Sequence, residues 1–140
     1  MRLLASATIV LLLAITGCGG CRPTIDVCDN ADGALSNASF IFVSEPRSGQ
    51  RVSSGFTVRG CSRTFESNVP WTLLDASGAQ LASGATTGGG VDGFGPFSFT
   101  VTFSVPERQI GHLEVSEEDV SGGEATIEPV RNVIPLVLVP

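Results

Sequence analysis

The chain has 140 residues, which leaves room for one domain of ordinary size and excludes a multidomain enzyme. Its 8 basic residues, all arginine, stand against 14 acidic ones, and the net charge of −6 repels a phosphate backbone, so we expect no nucleic-acid partner. With 17 glycines, 8 prolines, only 16% charged residues and no helical spacing of apolar residues after residue 17, the composition predicts an all-β fold.

The N-terminus has the pattern of an export signal. Met1 and Arg2 give a short positive start, residues 3–16 form an apolar run, and small residues then lead to Cys18. A membrane-spanning helix needs about 20 apolar residues, so a permanent protein anchor is the weaker interpretation. We therefore predict that residues 1–17 are a lipoprotein signal peptide that is removed on export.

Residues 15–18 (Ile-Thr-Gly-Cys) resemble the lipobox of bacterial lipoproteins, where the cysteine receives a diacylglycerol group before the chain is cut ahead of it. The resemblance implies lipidation at Cys18 and an extracytoplasmic protein held on a membrane by its acyl chains. Gly19 after that cysteine implies the outer membrane if the organism is Gram-negative. The alternative is an ordinary secretory signal cut nearby, which would leave Cys18 a thiol or half of a disulfide.

Residues 18–38 carry Gly, Pro, Asp, Asn and Ser without periodicity, which is typical of a flexible tether. Within them, residues 30–33 (Asn-Ala-Asp-Gly) faintly resemble a calcium loop, but its first ligand would be Cys28 and its twelfth Ser39 instead of a Glu. Cys18 and Cys21 have no second Cys or His pair to complete a zinc site. We expect no metal and no cofactor.

Export places Cys21, Cys28 and Cys61 in a disulfide-permissive space, where three thiols allow one bridge. If Phe56 faces the core, strand alternation turns Cys61 outward, and an antiparallel first hairpin brings it beside the start of the first strand and the tether. We predict a bridge between Cys61 and the leader, with Cys28 the favoured partner. A Cys21–Cys28 bridge is the alternative.

Strand signals recur from Phe40 onward, separated by turn residues. Residues 40–43 form a short apolar strand, and alternation around Phe56 and Val58 predicts a second. Val69, Trp71 and Leu73 share one face of a third, in which Pro70 predicts an edge position or a strand entrance. Residues 75–78 (Asp-Ala-Ser-Gly) have the composition of a type I turn followed by a left-handed glycine, which would close a hairpin onto Leu81.

After a glycine-rich loop at residues 84–95, apolar and polar residues alternate strictly from Phe97 to Val105, which predicts a strand with one face in the core. The phenylalanines of this stripe are expected in the core rather than on a ligand platform. Leu113 and Val115 indicate a further strand, and residues 127–139 one or two more, interrupted by prolines. About seven strands predict a β-sandwich over residues 39–140.

Several elements of this region are similar, in order and spacing, to the bacterial spore germination immunoglobulin-like domain family. The resemblance spans residues 39–138 and implies an extracytoplasmic immunoglobulin-like sandwich of the kind found in lipoproteins and cell-surface proteins. The family offers no established catalytic residues, and its usual companion domain is absent here, so a spore role does not carry over. The elements are Arg63-x-Phe65-Glu66-x-x-Val69, Leu73, Asp75-x-x-Gly78, Gly95-Pro96-Phe97, Phe103 and Gly111-x-Leu113-x-Val115.

Catalytic chemistry finds little support. The sole histidine, His112, follows Gly111 where a turn is expected to enter a strand, and a histidine there is typically solvated or capping. The acidic run at residues 117–119 (Glu-Glu-Asp) points to alternating faces, unlike the paired carboxylates of a glycosidase, and we interpret it as a solvated strand end rather than a cation site. We predict that the protein is not an enzyme.

Glu66 is the one carboxylate to which we assign a structural role. It lies between two predicted strands, where a crossing chain leaves backbone N–H groups without ladder partners, and a carboxylate can accept such N–H groups. We predict that Glu66 holds this loop and that its loss lowers stability. The alternative is an exposed Glu without a role.

Two classes of function remain. The sandwich is a binding or adhesion module that contacts an envelope protein or a wall polymer through loops such as residues 88–95. Alternatively, it is a structural or accessory subunit of an envelope complex that pairs with a partner through an open sheet edge.

Overall fold

The computed structural model of the protein describes residue 28, residues 38–119 and residues 129–140. The predicted signal peptide (residues 1–17) and the predicted lipidation site Cys18 lie outside the described residues. So do Cys21, the tether except for residues 28 and 38, and the beginning of the last predicted strand at Ile127.

The described part of the chain forms eight β-strands and no helix. One sheet has three strands in the order β1-β3-β6, and the other has five in the order β2-β8-β7-β4-β5. All pairs are antiparallel except β2 with β8, which is parallel. The strands are β1 (Phe40–Glu45), β2 (Arg51–Val52), β3 (Phe56–Arg63), β4 (Asn68–Leu74), β5 (Gln80–Thr87), β6 (Gly95–Val101), β7 (Gln109–Ser116) and β8 (Arg131–Leu138).

The core lies between the two sheets, and every strand except β5 supplies a fully enclosed side chain to it. In β7, for example, buried Leu113 and Val115 alternate with the half-buried His112 and Glu114, which occupy the outer face. This confirms the predicted all-β sandwich. The eighth strand is the two-residue β2, which is too short for alternation to reveal. The core residues are Ile41, Val52, Val58, Val69, Leu73, Phe97, Val101, Val105, Leu113, Val115, Ile134, Leu136 and Leu138.

The Phe stripe of β6 belongs to the core, as predicted: Phe97 is buried, and Phe99 and Phe103 pack against the buried cluster. Phe99 also stacks on Trp71 of β4 in the other sheet, with ring centroids 4.8 Å apart and planes 7° apart. A Cβ at Gly84 of β5 would lie 2.7 Å from that indole, so the ring can lie against β5 only where there is no side chain. Trp71 thereby closes this side of the sandwich.

The predicted nine-residue strand is shorter than its alternation suggests. β6 ends at Val101, because its partner β3 begins at Phe56 and those two residues are the last pair of the ladder. Beyond that point the chain is held by single contacts, such as the Phe103 N–H donating to Ser54 Oγ at 2.9 Å. The inward side chains of Phe103 and Val105 nevertheless still reach the core.

Pro70 does not mark an edge, because β4 lies between β5 and β7. Pairing of β4 with β7 starts only at Trp71, one residue later, so the missing N–H of Pro70 removes no bond from that ladder. Pro135 likewise lies within β8, where its carbonyl accepts a hydrogen bond from the Gly49 N–H at 2.8 Å. In both cases the strand continues through the proline because the ladder does not need its nitrogen.

Candidate functional site

A disulfide attaches the leader to one outer face of the sandwich. Cys61 lies in β3 beside Phe42 of β1 and Pro96 of β6, on the face opposite the core. It is bonded to Cys28, 33 residues earlier, with the two Cα atoms 5.4 Å apart. This is the pair favoured from the sequence. Cys28 is therefore fixed to the outside of the three-stranded sheet.

Two loops meet at the end of the sandwich next to this attachment. The first (residues 64–67) joins β3 to β4, the second (residues 88–94) joins β5 to β6, and together we call them the loop end. The Thr64 N–H donates to Gly89 O at 3.0 Å, the Gly88 N–H donates to Ser67 O at 2.9 Å, and Arg63 Nη2 donates to Val91 O at 3.0 Å. The two loops therefore form one surface.

Gly89 makes this close contact possible. A Cβ at that position would collide with the main chain of Gly95 and of Ser62, because the loop passes directly over both strands. The three consecutive glycines at residues 88–90, which lie in the predicted glycine-rich loop, thus allow two backbones to pack closely.

Phe65 and Val91 project from the loop end into solvent. They are the most exposed large hydrophobic side chains among the described residues, at 59% and 56%. Aromatic side chains are enriched among the residues that dominate protein interfaces. Glu66 and Asp92, their neighbours in sequence, are also exposed, so carboxylates flank the apolar side chains.

The loop is held by a carboxylate, but this carboxylate is not that of Glu66. Glu66 is exposed and accepts no hydrogen bond within the described part of the chain, so its expected role is corrected. Glu117, directly after β7, accepts the Phe65 N–H at 2.9 Å, and Glu118 accepts a hydrogen bond from Asn68 Nδ2 at 2.7 Å. Glu66 is exposed at the tip of the loop, whereas Glu117 lies at the base of the loop because it directly follows β7.

The acidic run at residues 117–119 is therefore more than a solvated strand end. The Glu117 N–H donates to Val130 O at 2.8 Å, which fixes the main chain from which its carboxylate reaches the loop. The run braces the loop end and adds negative charge to it. This brace fixes the main chain of Phe65 at the base of its loop.

Comparison with protein families matches residues 40–124 to the immunoglobulin-like domain of bacterial spore germination. The chain belongs to this family. Among solved structures, it is similar to the crystal structure of CopC from Methylosinus trichosporium OB3b, with 15% identity, a TM-score of 0.43, and coverage of 74% of this chain and 95% of that one. The comparison with curated proteins gives no match.

A second exposed surface of this immunoglobulin-like domain is a cleft of about 530 Å³ between β1 and β8. Phe42 and Val133, which line it, are 51% and 43% exposed, and Arg47 also lines it. Asn132 Nδ2 donates to Ile41 O at 3.4 Å across the gap. We call this surface the β1–β8 cleft.

His112 lies within β7 of the domain and not at a strand end as predicted. It is half-buried on the outer face, paired in register with Leu74 of β4 and Pro135 of β8. Within residues 38–119 and 129–140, no group of three His, Cys, Asp or Glu side chains is placed to hold a metal ion. None of the described segments is a helix long and apolar enough to cross a membrane.

Proposed function

We propose that the protein is a lipid-anchored, extracytoplasmic, non-catalytic immunoglobulin-like module that binds an envelope protein through its loop end. The observation that carries the proposal is the pair of exposed apolar side chains, Phe65 and Val91, on two loops braced against each other and against Glu117. Aromatic anchors on a preorganised surface provide most of the free energy of many protein interfaces.

The charge of the loop end indicates the chemistry of the partner. Glu66, Asp92 and Glu118 are exposed, while Arg63 is the basic residue beside them and is held by Val91 O. A partner with an apolar pocket ringed by Lys or Arg would match this surface. An anionic lipid surface would be repelled by it, so the acyl anchor rather than the loop end is proposed to contact the membrane.

The proposed location rests on the N-terminus and on the disulfide. A Cys28–Cys61 bridge is stable in an oxidising compartment, which agrees with export. Because Cys28 is fixed to the domain, the free tether from a lipidated Cys18 has only the residues between these two positions. At about 3.5 Å per residue, it holds the domain within about 35 Å of the membrane.

Mass spectrometry of the mature N-terminus tests the anchor. We expect diacyl- or triacyl-modified Cys18 as the first residue, and a Cys18→Ser chain that no longer fractionates with membranes. An unmodified N-terminus at another residue would contradict lipidation.

Site-specific crosslinking tests the loop end in cells that express the full-length chain. With a photoreactive amino acid in place of Val91, we expect one discrete adduct with a second protein. Phe65→Ala should lower its yield by about 30-fold, since losing a central aromatic anchor typically costs about 2 kcal/mol.

Phe42→Ala is the matched control, because Phe42 is nearly as exposed but lies in the β1–β8 cleft. It should leave the adduct unchanged, and both variants should keep the melting temperature of the wild type. Equal losses in the two variants would contradict the proposal, as would saturable binding of purified wall polymer that Phe65→Ala abolishes.

The accessory-subunit function is retained as a second candidate on one observation. β5, at the edge of the five-stranded sheet, is exposed at its middle and lacks the charges and prolines that protect many edges from strand addition.

A further inference from the structure

Four strands lie at sheet edges in the described part of the chain: β1, β2, β5 and β6. Unpaired N–H and C=O groups at an edge bind further strands, and proteins prevent this with charges, prolines, bulges or very short strands. β2 has only two residues. β6 contains Pro96, and its Ser98 carbonyl already accepts a hydrogen bond from Thr86 Oγ1 at 3.3 Å. These two edges are blocked.

The β1 edge is blocked by three features. Its ladder with β3 has an irregularity between Val43 and Glu45, and Glu45 places an exposed charge at the end of the strand. Its Ile41 carbonyl accepts the hydrogen bond from Asn132. A strand approaching β1 would have to break this contact and bury the charge.

β5 carries no charge and no proline, and both its ladder irregularity near Leu81 and its contact from Thr86 to β6 lie outside its middle residues. Within its eight residues (Gln80–Thr87), Ser83, Gly84 and Ala85 are exposed in succession. Its ladder with β4 is irregular only near Leu81 and regular from Ala82 to Thr87. The middle of this stretch, from Ser83 to Ala85, therefore offers backbone groups on the side away from β4, while Thr86 near its end contacts Ser98 of β6.

We propose that this edge is a strand-addition site occupied by β5 of a second copy of the chain, in antiparallel orientation. The proposal deepens the accessory function and rests on it. A foreign peptide added to an edge is selected by pockets or charges for its side chains, and the small uncharged side chains of β5 provide neither. A copy needs only to be compatible with itself, and β5 brings no like charges or bulky groups together.

The symmetry of such a pair agrees with the attachment of the leader. The twofold axis of an antiparallel strand pair is perpendicular to the sheet, so two five-stranded sheets join edge to edge and both three-stranded sheets lie on the same side. Cys28 is bonded to Cys61 on the outer face of the three-stranded sheet. Both Cys28 residues therefore lie on one side of the dimer, as two chains anchored in one membrane require.

The pairing also limits the possible registers. Residues opposite each other must share a face, and Ser83 and Ala85 lie on the outer face with their partners Thr72 and Pro70. For an axis near the middle of β5, Ser83 faces Ser83, Ala85 faces Ala85, or the two face each other. Three cysteine combinations thus cover the central registers.

The test is crosslinking of full-length chains in intact cells with a short bismaleimide. Ser83→Cys alone, Ala85→Cys alone, or both variants co-expressed should give a covalent dimer of twice the chain mass. Ser53→Cys, exposed in the loop after β2 at the far edge of the sheet, is the matched control and should match the wild-type background. Adding Ala85→Lys to Ser83→Cys should remove the dimer without changing the melting temperature.

Absence of a dimer above background in all three combinations would overturn the inference. So would equal crosslinking of Ser53→Cys, or an adduct of Ser83→Cys with a different protein and no dimer. Phe65→Ala separates this site from the loop end: it should lower the yield of the loop-end adduct by about 30-fold and leave the β5 dimer intact, so either proposal can fail alone.

Discussion

The turn between β4 and β5 and the loop end are closed in opposite ways. In the turn, Asp75 Oδ1 accepts hydrogen bonds from the Ser77 N–H at 2.8 Å, the Ser77 hydroxyl at 2.6 Å and the Ala79 N–H at 2.9 Å. The Asp75 N–H donates to Ala79 O at 2.8 Å, and Gly78 takes a φ of +85°. All of these contacts lie within five consecutive residues.

In the loop end, the contacts join residues that are distant in sequence. Thr64 bonds a residue 25 positions later, and Phe65 bonds Glu117, which is 52 positions later. The turn can form as soon as its own residues are in place, whereas the loop end exists only when β3, β4, β5 and β7 are assembled. We therefore expect perturbations of the loop end to register in global stability, and perturbations of the turn to remain small.

The largest effect should come from the most distant covalent link, the Cys28–Cys61 disulfide. For two residues 33 positions apart, the chain-entropy account gives a loss of about 3 to 4 kcal/mol in the free energy of unfolding when the bridge is removed. Cys28→Ala should show this loss in denaturant titration of the full-length chain. A reductant should lower the stability of the wild type to that of the variant and leave the stability of the variant unchanged.

Cys21→Ala is the control for this pairing. It should leave stability and the response to the reductant as in the wild type. If Cys21→Ala lowered the free energy of unfolding as much as Cys28→Ala, the assignment of the bridge to Cys28 would be contradicted.

The second effect concerns the two glutamates of the loop end. Glu117→Ala removes the acceptor of the Phe65 N–H, and a hydrogen bond in such a half-exposed site contributes about 1 kcal/mol. This corresponds to a melting temperature lower by about 4 to 8 °C for a domain of this size. Glu66→Ala, at the exposed tip of the same loop, should stay within about 0.5 kcal/mol of the wild type. A greater loss for Glu66→Ala would reverse our assignment.

The difference between local and long-range contacts also explains which features could be predicted from the sequence. The Asp-Ala-Ser-Gly turn was predictable because the hydrogen bonds to Asp75 that close it are local, although the Ala76 N–H also donates to Gln109 Oε1 at 3.1 Å. The strands were predictable because alternation is local too. The outward direction of Cys61 also follows from alternation, and this favoured Cys28 as its partner. The acceptor at the loop end was assigned to Glu66 because sequence proximity was the only guide. Its true partner, Glu117, is set by the order of strands in the sheet, which no local pattern contains.

The sheet edges and the exposed side chains could not be predicted from the sequence for a related reason. Pro70 indicated an edge or a strand entrance; β4 is central because β5 and β7 lie on either side of it, and its ladder with β7 begins one residue after Pro70. The exposure of Phe65 likewise depends on which strands cover it, and a Phe in a short loop gives no sign of that. Sequence patterns here identify elements, while the neighbours of each element are decided by the assembled sandwich.

The packing of β3 next to the loop end includes one buried polar group, the Ser62 hydroxyl. The Ser62 side chain is fully buried at the end of β3, and its hydroxyl has no hydrogen-bond partner within the described structure. An unpaired buried hydroxyl is destabilising, so Ser62→Ala should raise the free energy of unfolding by up to about 1 kcal/mol. Chemical denaturation would show this as a higher midpoint with an unchanged slope. A clear loss would mean that the hydroxyl has a partner in solution.

The smallest effect should come from the turn, and its sign depends on pH. The Ser77 hydroxyl and then the Ala79 N–H, both donating to Asp75, hold the pKa of that carboxyl below its ordinary value of 3.8. A carboxyl whose pKa is lower in the folded state stabilises the protein above its unfolded pKa, and this contribution is lost as the pH falls through the folded value. Asp75→Asn should therefore melt slightly below the wild type at pH 7, and the melting temperatures of the two proteins should converge below pH 3.8.

Asp92→Asn is the control, because it removes an exposed carboxylate that accepts no hydrogen bond among the described residues. Its difference in melting temperature from the wild type should not change with pH in this way. If Asp75→Asn cost more stability than Glu117→Ala at neutral pH, the local turn would be the stronger closure and the comparison would be wrong.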